Sequence, residues 1–455
     1  MPSSSNESLL LSAIISIHMQ TASKKVINGW AMYDWANSVY NLVITTTFFP
    51  VYYTAMTDAS PFNGKVHFLG RTYVNTALYN YALAFTYLLV AFTLPILSSI
   101  ADYKGNKKKF MQFFCTMGAL SCSVLYFFTP EYFALGVFCM MAAAFGFYAS
   151  LVFYNSYLPE IAEEKDRDHV SAKGFTYGYI GSVIMQLVGF ALVLFWDKIP
   201  FLHSAGDAVR LTFLLVGIWW IGFAQITFNR LPKGIPAVAN GEKKSSLTGG
   251  FIELRKVFVQ LLKMPVLKRF LFAFFFYNMG VQTVMLAAAN FGTKVLNLPS
   301  TNLIITMVLI QLVAIAGAYL MSKLSGIFGN LQVLIGVVVF WIAICVAAYY
   351  MQTEIHFYIL AVAVGLVMGG IQSLSRSTYS KLMPVTKDTA SFFSFYDVTE
   401  KIAIVIGLSA FGIIEEYTGS MRNSVLSLII FFTIGLLGLI AALYKQKRDI
   451  SYITA

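Results

Sequence analysis

Apolar residues run along the chain in blocks of about twenty, parted by short polar segments rich in Gly, Pro, Lys and Asp. Twenty residues of α-helix rise about 30 Å, the thickness of a bilayer's hydrocarbon core. Twelve such blocks are readable, at 30–54, 75–100, 109–128, 133–158, 173–196, 210–230, 267–291, 301–322, 330–350, 357–380, 391–413 and 424–444. They are called spans 1 to 12. The pattern predicts an all-α polytopic membrane protein. One long interruption, 231–265, parts the spans six and six. It opens rich in Pro and Gly and turns rich in Lys, Ser and Gly. It closes in FIELRKVFVQLL, an amphipathic piece expected to lie on the membrane surface.

The expected organisation has five parts. A cytoplasmic tail, 1–28, is disordered at its start. A six-helix bundle, 29–230, follows, then the basic linker 231–265, a second six-helix bundle, 266–445, and a cytoplasmic tail, 446–455. LLLSAIISI near the N-terminus has the apolarity of a signal-peptide core, but no positive charge precedes it and no small-residue cleavage site follows. The tail before Met19 therefore reads as disordered, or Met19 as the true start. Polarity divides the spans further. Spans 9 and 12 carry no charge and almost no amide, and spans 3 and 6 little more than Gln112 and Gln225, whereas spans 1, 7, 10 and 11 are rich in Asn, Gln and charge. Three-span units used four times are the expectation, the third of each facing lipid. Transporters built from such repeats place their site at the repeat interface.

Composition strengthens the membrane reading. Of 455 residues, 58% are hydrophobic and 12% charged, against about 25% charged in soluble domains. The net charge of +11 would invite a nucleic-acid partner, but its distribution argues for topology. Twenty-four of the 32 lysines and arginines fall in loops on the side of the termini, and six on the other. That asymmetry places both termini in the cytoplasm. The bilayer is thus the expected macromolecular partner, with no nucleic acid, and the chain is expected to be a monomer. The four cysteines lie within spans without CxxC spacing, so neither a disulfide framework nor a metal site is supported. All five histidines fall in loops or at span ends. There is no G-x-x-x-x-G-K-[ST], no H-E-x-x-H and no evident nucleophile–base pair within a span. No cofactor, no metal and no enzymatic activity are expected.

Candidate chemistry lies inside the spans. Span 11, SFFSFYDVTEKIAIVIGLSAFG, places Asp397, Glu400 and Lys401 in one 100° sector of a helix. Lys401 lies roughly 13 Å deep at 1.5 Å per residue, and intramembrane charges mark functional sites. Asp397 and Lys401, spaced i, i+4, are expected to compensate one another. Span 1 sets Asp34, Asn37, Asn41 and Thr45 on one face, with Asp34 near the cytoplasmic edge and within reach of a loop lysine. Span 7 repeats the pattern with Asn278 and Gln282, and span 10 with Gln372 and Arg376. Arg376 is the expected partner of Asp397 or Glu400. Each of these polar groups also has a purely structural reading, in which a neighbouring helix satisfies it. The loop after span 2, SSIADYKGNKKKF, offers Asp102, Gly105, Lys107 and Lys108, an acid, a turn glycine and cations able to grip another helix end in one conformation and release it in another. The matching loop after span 8, SKLSGIFGN, keeps Gly329 and Asn330 but lacks the acid and the cations.

Twelve spans, a central basic loop and ADYKGNKKK in that position resemble the major facilitator superfamily. GWAMYDWANSVYNLVITTTFFPVYY, PILSSIADYKGNKKKF, LVFYNSYLPEIA and GGIQSLSRSTYSKLMPVTKDTASFFSFYDVTEK resemble, within it, the branch of the autophagy-related vacuolar amino-acid effluxers and their bacterial relatives. The resemblance spans residues 28–445. It implies two six-helix bundles, alternating access, a central site lined mainly by spans 1, 4, 7 and 10, and a conformational role for Asp102, Gly105, Lys107 and Lys108. It also implies outward transport of amino acids. The compact loops fit a bacterial chain in the cytoplasmic membrane. The expectation is a secondary transporter of a small polar solute of the amino-acid class, with Asp34, Asn37, Asn41, Asn278, Gln282, Gln372, Arg376, Asp397, Glu400 and Lys401 along the pathway. One of Asp34, Asp397 or Glu400 is expected to carry a coupling proton. The alternatives are a membrane sensor or scaffold that binds without moving its ligand, and a membrane-embedded enzyme acting on lipid-linked substrates.

Overall fold

The computed structural model describes residues 20–233 and 246–454. Twelve long helices run through them. Span 1 comprises helix Lys24–Val39, a π-helical stretch Tyr40–Phe48 and helix Phe49–Asp58. Spans 2 to 6 are Asn75–Lys104, Lys107–Val124, Phe133–Asn155, Arg167–Leu194 and Ala205–Arg230. Spans 7 to 12 are Pro265–Leu296, Ser300–Phe328, Asn330–Tyr350, Glu354–Leu382, Thr389–Thr418 and Met421–Thr454. A short hairpin, β1 (Lys65–Phe68) and β2 (Arg71–Val74), joins spans 1 and 2 at the end of the molecule away from the termini.

Ten of these helices are long and apolar enough to cross a bilayer by length and composition alone. The other two are spans 1 and 11. Span 1 is broken by its π stretch, and span 11 carries the three intramembrane charges. The two least orthodox spans are thus the two richest in candidate chemistry. Span 1 starts at Lys24, within the segment read as tail. The readings of residues before Met19 and of the Lys/Ser/Gly-rich part of the linker lie largely outside the described residues.

Packing sorts the spans into two groups of six. In the first, span 1 lies on spans 5 and 6, span 3 on 4 and 6, and span 2 on 4. In the second, span 8 lies on 10, span 7 on 11 and 12, and span 9 on 10 and 12. The groups meet chiefly where span 2 crosses 11 and span 5 crosses 8 and 10. Spans 3, 6, 9 and 12 pack chiefly within their own groups. Glycines let spans 8 and 10 cross closely: a Cβ on Gly369 would stand 2.1 Å from the Ala314 carbonyl oxygen of span 8.

The amphipathic piece of the linker is a helix, Ser246–Leu262, laid across both groups. Gly249 and Gly250 press on Tyr103 and Ile100 of span 2. Phe258 lies 5.8 Å from the Phe395 ring of span 11. Lys256 Nζ bonds Glu253 at 2.6 Å and Asp388, the N-cap of span 11, at 3.1 Å. Phe251, Ile252, Val259 and Leu262 remain exposed.

Candidate functional site

The two groups enclose a cavity of about 160 Å³. Span 1 presents Asp34, Asn37 and Asn41 to it, span 7 Asn278 and Gln282, span 10 Gln372 and Arg376, and span 11 Asp397, Glu400 and Lys401. All ten candidates from the four spans line this one space. Helical periodicity put each set on one face, and packing turned the four faces together.

The pairing inside differs from the expectation. Arg376 meets neither Asp397 nor Glu400 in an ion pair. Its Nη1 bonds Asp34 Oδ2 at 3.2 Å and Asn155 Oδ1 at 3.3 Å, while Nε and Nη2 donate to Ser171 Oγ (2.9 Å) and Ser171 O (2.8 Å). The Tyr154 hydroxyl donates to Asp34 Oδ2 at 2.7 Å. The guanidinium also lies 4.8 Å from the Trp30 ring and 4.3 Å from that of Phe175. Asp34 is therefore a buried member of a network across the two halves, and among the described residues no loop lysine pairs with it. A helical wheel gives the face a residue occupies but not which neighbour that face meets. Gly174 of span 5 makes room, since a Cβ there would stand 2.5 Å from Asp34 Oδ2 and 2.9 Å from Arg376 Nη2.

Lys401 likewise departs from its expected i, i+4 partner. Its ammonium bonds Glu400 Oε2 at 2.5 Å and lies 4.1 Å over the Tyr148 ring. Gln282 Nε2 donates to Glu400 Oε1 at 3.2 Å. The Tyr179 hydroxyl donates to Gln372 Oε1 at 2.8 Å. Four buried atoms of the cavity residues, Asn37 Nδ2, Thr45 Oγ1, Asn278 Nδ2 and Asp397 Oδ2, have no hydrogen-bond partner among the described residues.

Beyond Val39 the backbone of span 1 widens into its π stretch. The Thr46 and Thr47 hydroxyls both donate to Leu42 O, at 2.7 and 2.8 Å. Pro50 follows, without an N–H to continue the ladder. π-helical turns cluster at functional sites, and this one lies beside Asn41 and Thr45 on the cavity wall.

At the end of the bundle that bears the termini, acids of the first group grip the second, Glu160 among them, which accepts from Thr389 Oγ1 at 2.6 Å. Asp102 accepts from the backbone N–H of Ser391 (2.7 Å) and Ala390 (3.3 Å) and from the Ser391 hydroxyl (2.7 Å). A carboxylate at a helix N-terminus meets unpaired N–H groups and the positive end of the dipole. Gly105 ends span 2 at φ 63°, a left-handed turn that favours glycine. Lys107 pairs with Glu160 and donates to Thr389 Oγ1 at 3.3 Å, and Lys108 donates to Leu231 O at 2.8 Å. The loop after span 8 lacks an acid, and span 5 supplies one. Asp168 accepts from Lys381 Nζ (2.6 Å), Ser325 Oγ (2.7 Å) and Asn330 Nδ2 (2.7 Å).

Sequence reasoning missed Tyr154, Asn155, Ser171 and Tyr179 on spans 4 and 5, and the grip of Asp168. The sequence carried one faint signal: the polar YNSY that breaks the apolar run of span 4.

Residues 22–450 match a family described as vacuole effluxer Atg22 like. An MFS-type transporter of Bacillus subtilis, YxiO, is 33% identical over 432 residues, covering 93% of this chain and 96% of the relative. Autophagy-related protein 22 of Coccidioides immitis is 24% identical, covering 92% of this chain and 87% of the relative. Among solved structures, the major facilitator transporter FucP in its outward conformation aligns with a TM-score of 0.68 at 14% identity, over 92% of this chain and 97% of that one. A bacterial homologue of the iron transporter ferroportin, in an outward-facing state, aligns with a TM-score of 0.64 at 12% identity, over 93% and 98%.

Proposed function

This chain belongs to the Atg22-like family of major facilitator transporters, secondary transporters of the membrane, and from that premise we propose that its cargo is a small polar solute of the amino-acid class, carried outward by alternating access. One observation carries the reading. Among the described residues the cavity holds two unpartnered amide donors, Asn37 Nδ2 from one half and Asn278 Nδ2 from the other, together with an unpartnered carboxylate oxygen, Asp397 Oδ2. Buried polar groups seek partners. A solute bearing both a carboxylate and an ammonium group would complete all three, and it would be held by both halves at once. The Atg22-like family is described as vacuole effluxers, which supports a solute-transport role. The basic loops on the side of the termini support an orientation with both termini inside, and the compact loops support a cytoplasmic-membrane location. In that orientation Asp102 and Asp168 close the cytoplasmic end, and their release would open it.

Counterflow into proteoliposomes, with a labelled mixture of the protein amino acids, tests the reading. Accumulation by the wild-type chain, lost on Asn278→Leu in protein of unchanged thermal stability, is the expected result. Equal accumulation in protein-free liposomes, or in the variant, would reject amino acids as cargo of this cavity.

A further inference from the structure

The cavity's ion pairs do not use up its charges. Three acids and two bases line it: Asp34, Asp397 and Glu400 against Arg376 and Lys401. Arg376 is taken by Asp34 and Lys401 by Glu400. Asp397 is the remainder. It is 2% exposed, and its Oδ2 has no hydrogen-bond partner among the described residues.

The cations that share the cavity with it are engaged elsewhere. On its own helix, Lys401 holds Glu400, and Tyr396 stacks 4.3 Å from the Phe274 ring. From span 10, Arg376 is spent on Asp34, Asn155 and Ser171, and the Tyr379 hydroxyl donates to Phe392 O at 2.5 Å. From span 7, the Tyr277 hydroxyl pairs with Ser375 Oγ at 2.7 Å. From the other half, the Tyr148 hydroxyl pairs with that of Tyr87 at 3.2 Å. A bare carboxylate in such a wall is costly, and a bound cation or proton removes that cost.

We propose that Asp397 is a single exchangeable cation site, taken in turn by a proton and by the ammonium group of the solute. One carboxylate oxygen cannot serve both, so occupancy by one excludes the other, and the transporter exchanges one proton for each solute. The inference rests on reading this cavity as the solute site. The exchange balances without electron transfer. When the solute arrives, the O–H bond of the Asp397 carboxyl breaks and its proton leaves to water. The carboxylate then accepts an N–H⁺ bond from the ammonium, and the reverse occurs on release. A zwitterion carried out for a proton carried in moves one net positive charge inward per cycle.

Infrared difference spectroscopy on the full chain in lipid follows the carboxyl C=O stretch directly. At neutral pH without solute, wild type should show a protonated-carboxyl band. Asp397→Asn should lose that band, and Asp397→Glu should restore it at a shifted frequency. An equimolar mixture of the protein amino acids should discharge the wild-type band and release about one proton per chain into a weakly buffered medium. Below the pH at which the band is half formed, apparent affinity for the mixture should fall about tenfold per pH unit. A band that survives in Asp397→Asn places the proton elsewhere and overturns the proposal. So does a band that neither the mixture nor methylammonium discharges. If methylammonium discharges it and the mixture does not, the exchange site at Asp397 stands and the amino-acid cargo is rejected.

Discussion

At Arg376, one guanidinium reaches from span 10 into spans 1, 4 and 5 of the other half and is only 3% exposed. A planar fork with five N–H donors suits three partners at different angles, and a lysine ammonium does not. Such a pair is costly to break from one side only. Arg376→Ala leaves Asp34 buried with a tyrosine hydroxyl but no counter-charge, a loss on the order of 3–5 kcal/mol. Arg376→Gln with Asp34→Asn removes both charges and keeps hydrogen-bonding groups in place. The thermal transition in detergent should therefore fall further for Arg376→Ala than for the double variant. The reverse order would show that the charges contribute little and that shape dominates the site.

Among the elements, the linker helix Ser246–Leu262 ties the two halves together where the first half grips the N-terminus of span 11. Its Lys256 serves two buried acids, Glu253 and Asp388. Burial above all, and then the neighbouring Asp388, push the Glu253 carboxyl up from its ordinary value, against the pull of Lys256. The sign follows from linkage. A carboxyl raised in the folded state favours docking while it is protonated, and that contribution is lost as pH rises through its folded range. The helix should dock more tightly in mildly acid than in alkaline buffer. Hydrogen exchange over residues 249–262, corrected for intrinsic rate, should slow on acidification in wild type, and Glu253→Gln should flatten the response. Equal pH dependence in both proteins would remove Glu253 from the account.

For the whole molecule, polar links between the halves concentrate at the end bearing the termini. Asp102 on the start of span 11 and Asp168 on Lys381, Ser325 and Asn330 form two grips, with both acids supplied by the first half. A rocking motion that opened this end would break both. Asp168→Asn discards a charge-assisted contact, roughly 1.5–3 kcal/mol, which shifts a two-state balance by about 10- to 150-fold. Spin labels at the exposed Lys109 and Lys387, one on each half, should report a longer inter-label distance gaining population in Asp168→Asn in a cysteine-free background. An unchanged distance distribution would show that Asp168 does not hold the closed end.

The sequence by itself determined the helices, their membrane length, the division into two sixes and the polar face of each candidate span. These rest on local chain properties: apolar runs of bilayer length, a 3.6-residue period and the cost of bare polar groups in hydrocarbon. The Asp102, Gly105 and Lys107 turn was legible for the same reason, since its parts are contiguous. Partner choice was not. Arg376 went to Asp34 and Lys401 to Glu400, and Asp397 was left alone, because the rotation and depth of each helix are set by packing over the whole interface. Spans 4 and 5 reached the cavity through tyrosine, asparagine and serine side chains that look ordinary in one dimension. Asp168 replaced the acid missing from the loop after span 8 across a gap of 157 residues. Only a folded chain brings such groups within hydrogen-bond distance, and the charge left unpaired there depends on the three-dimensional arrangement.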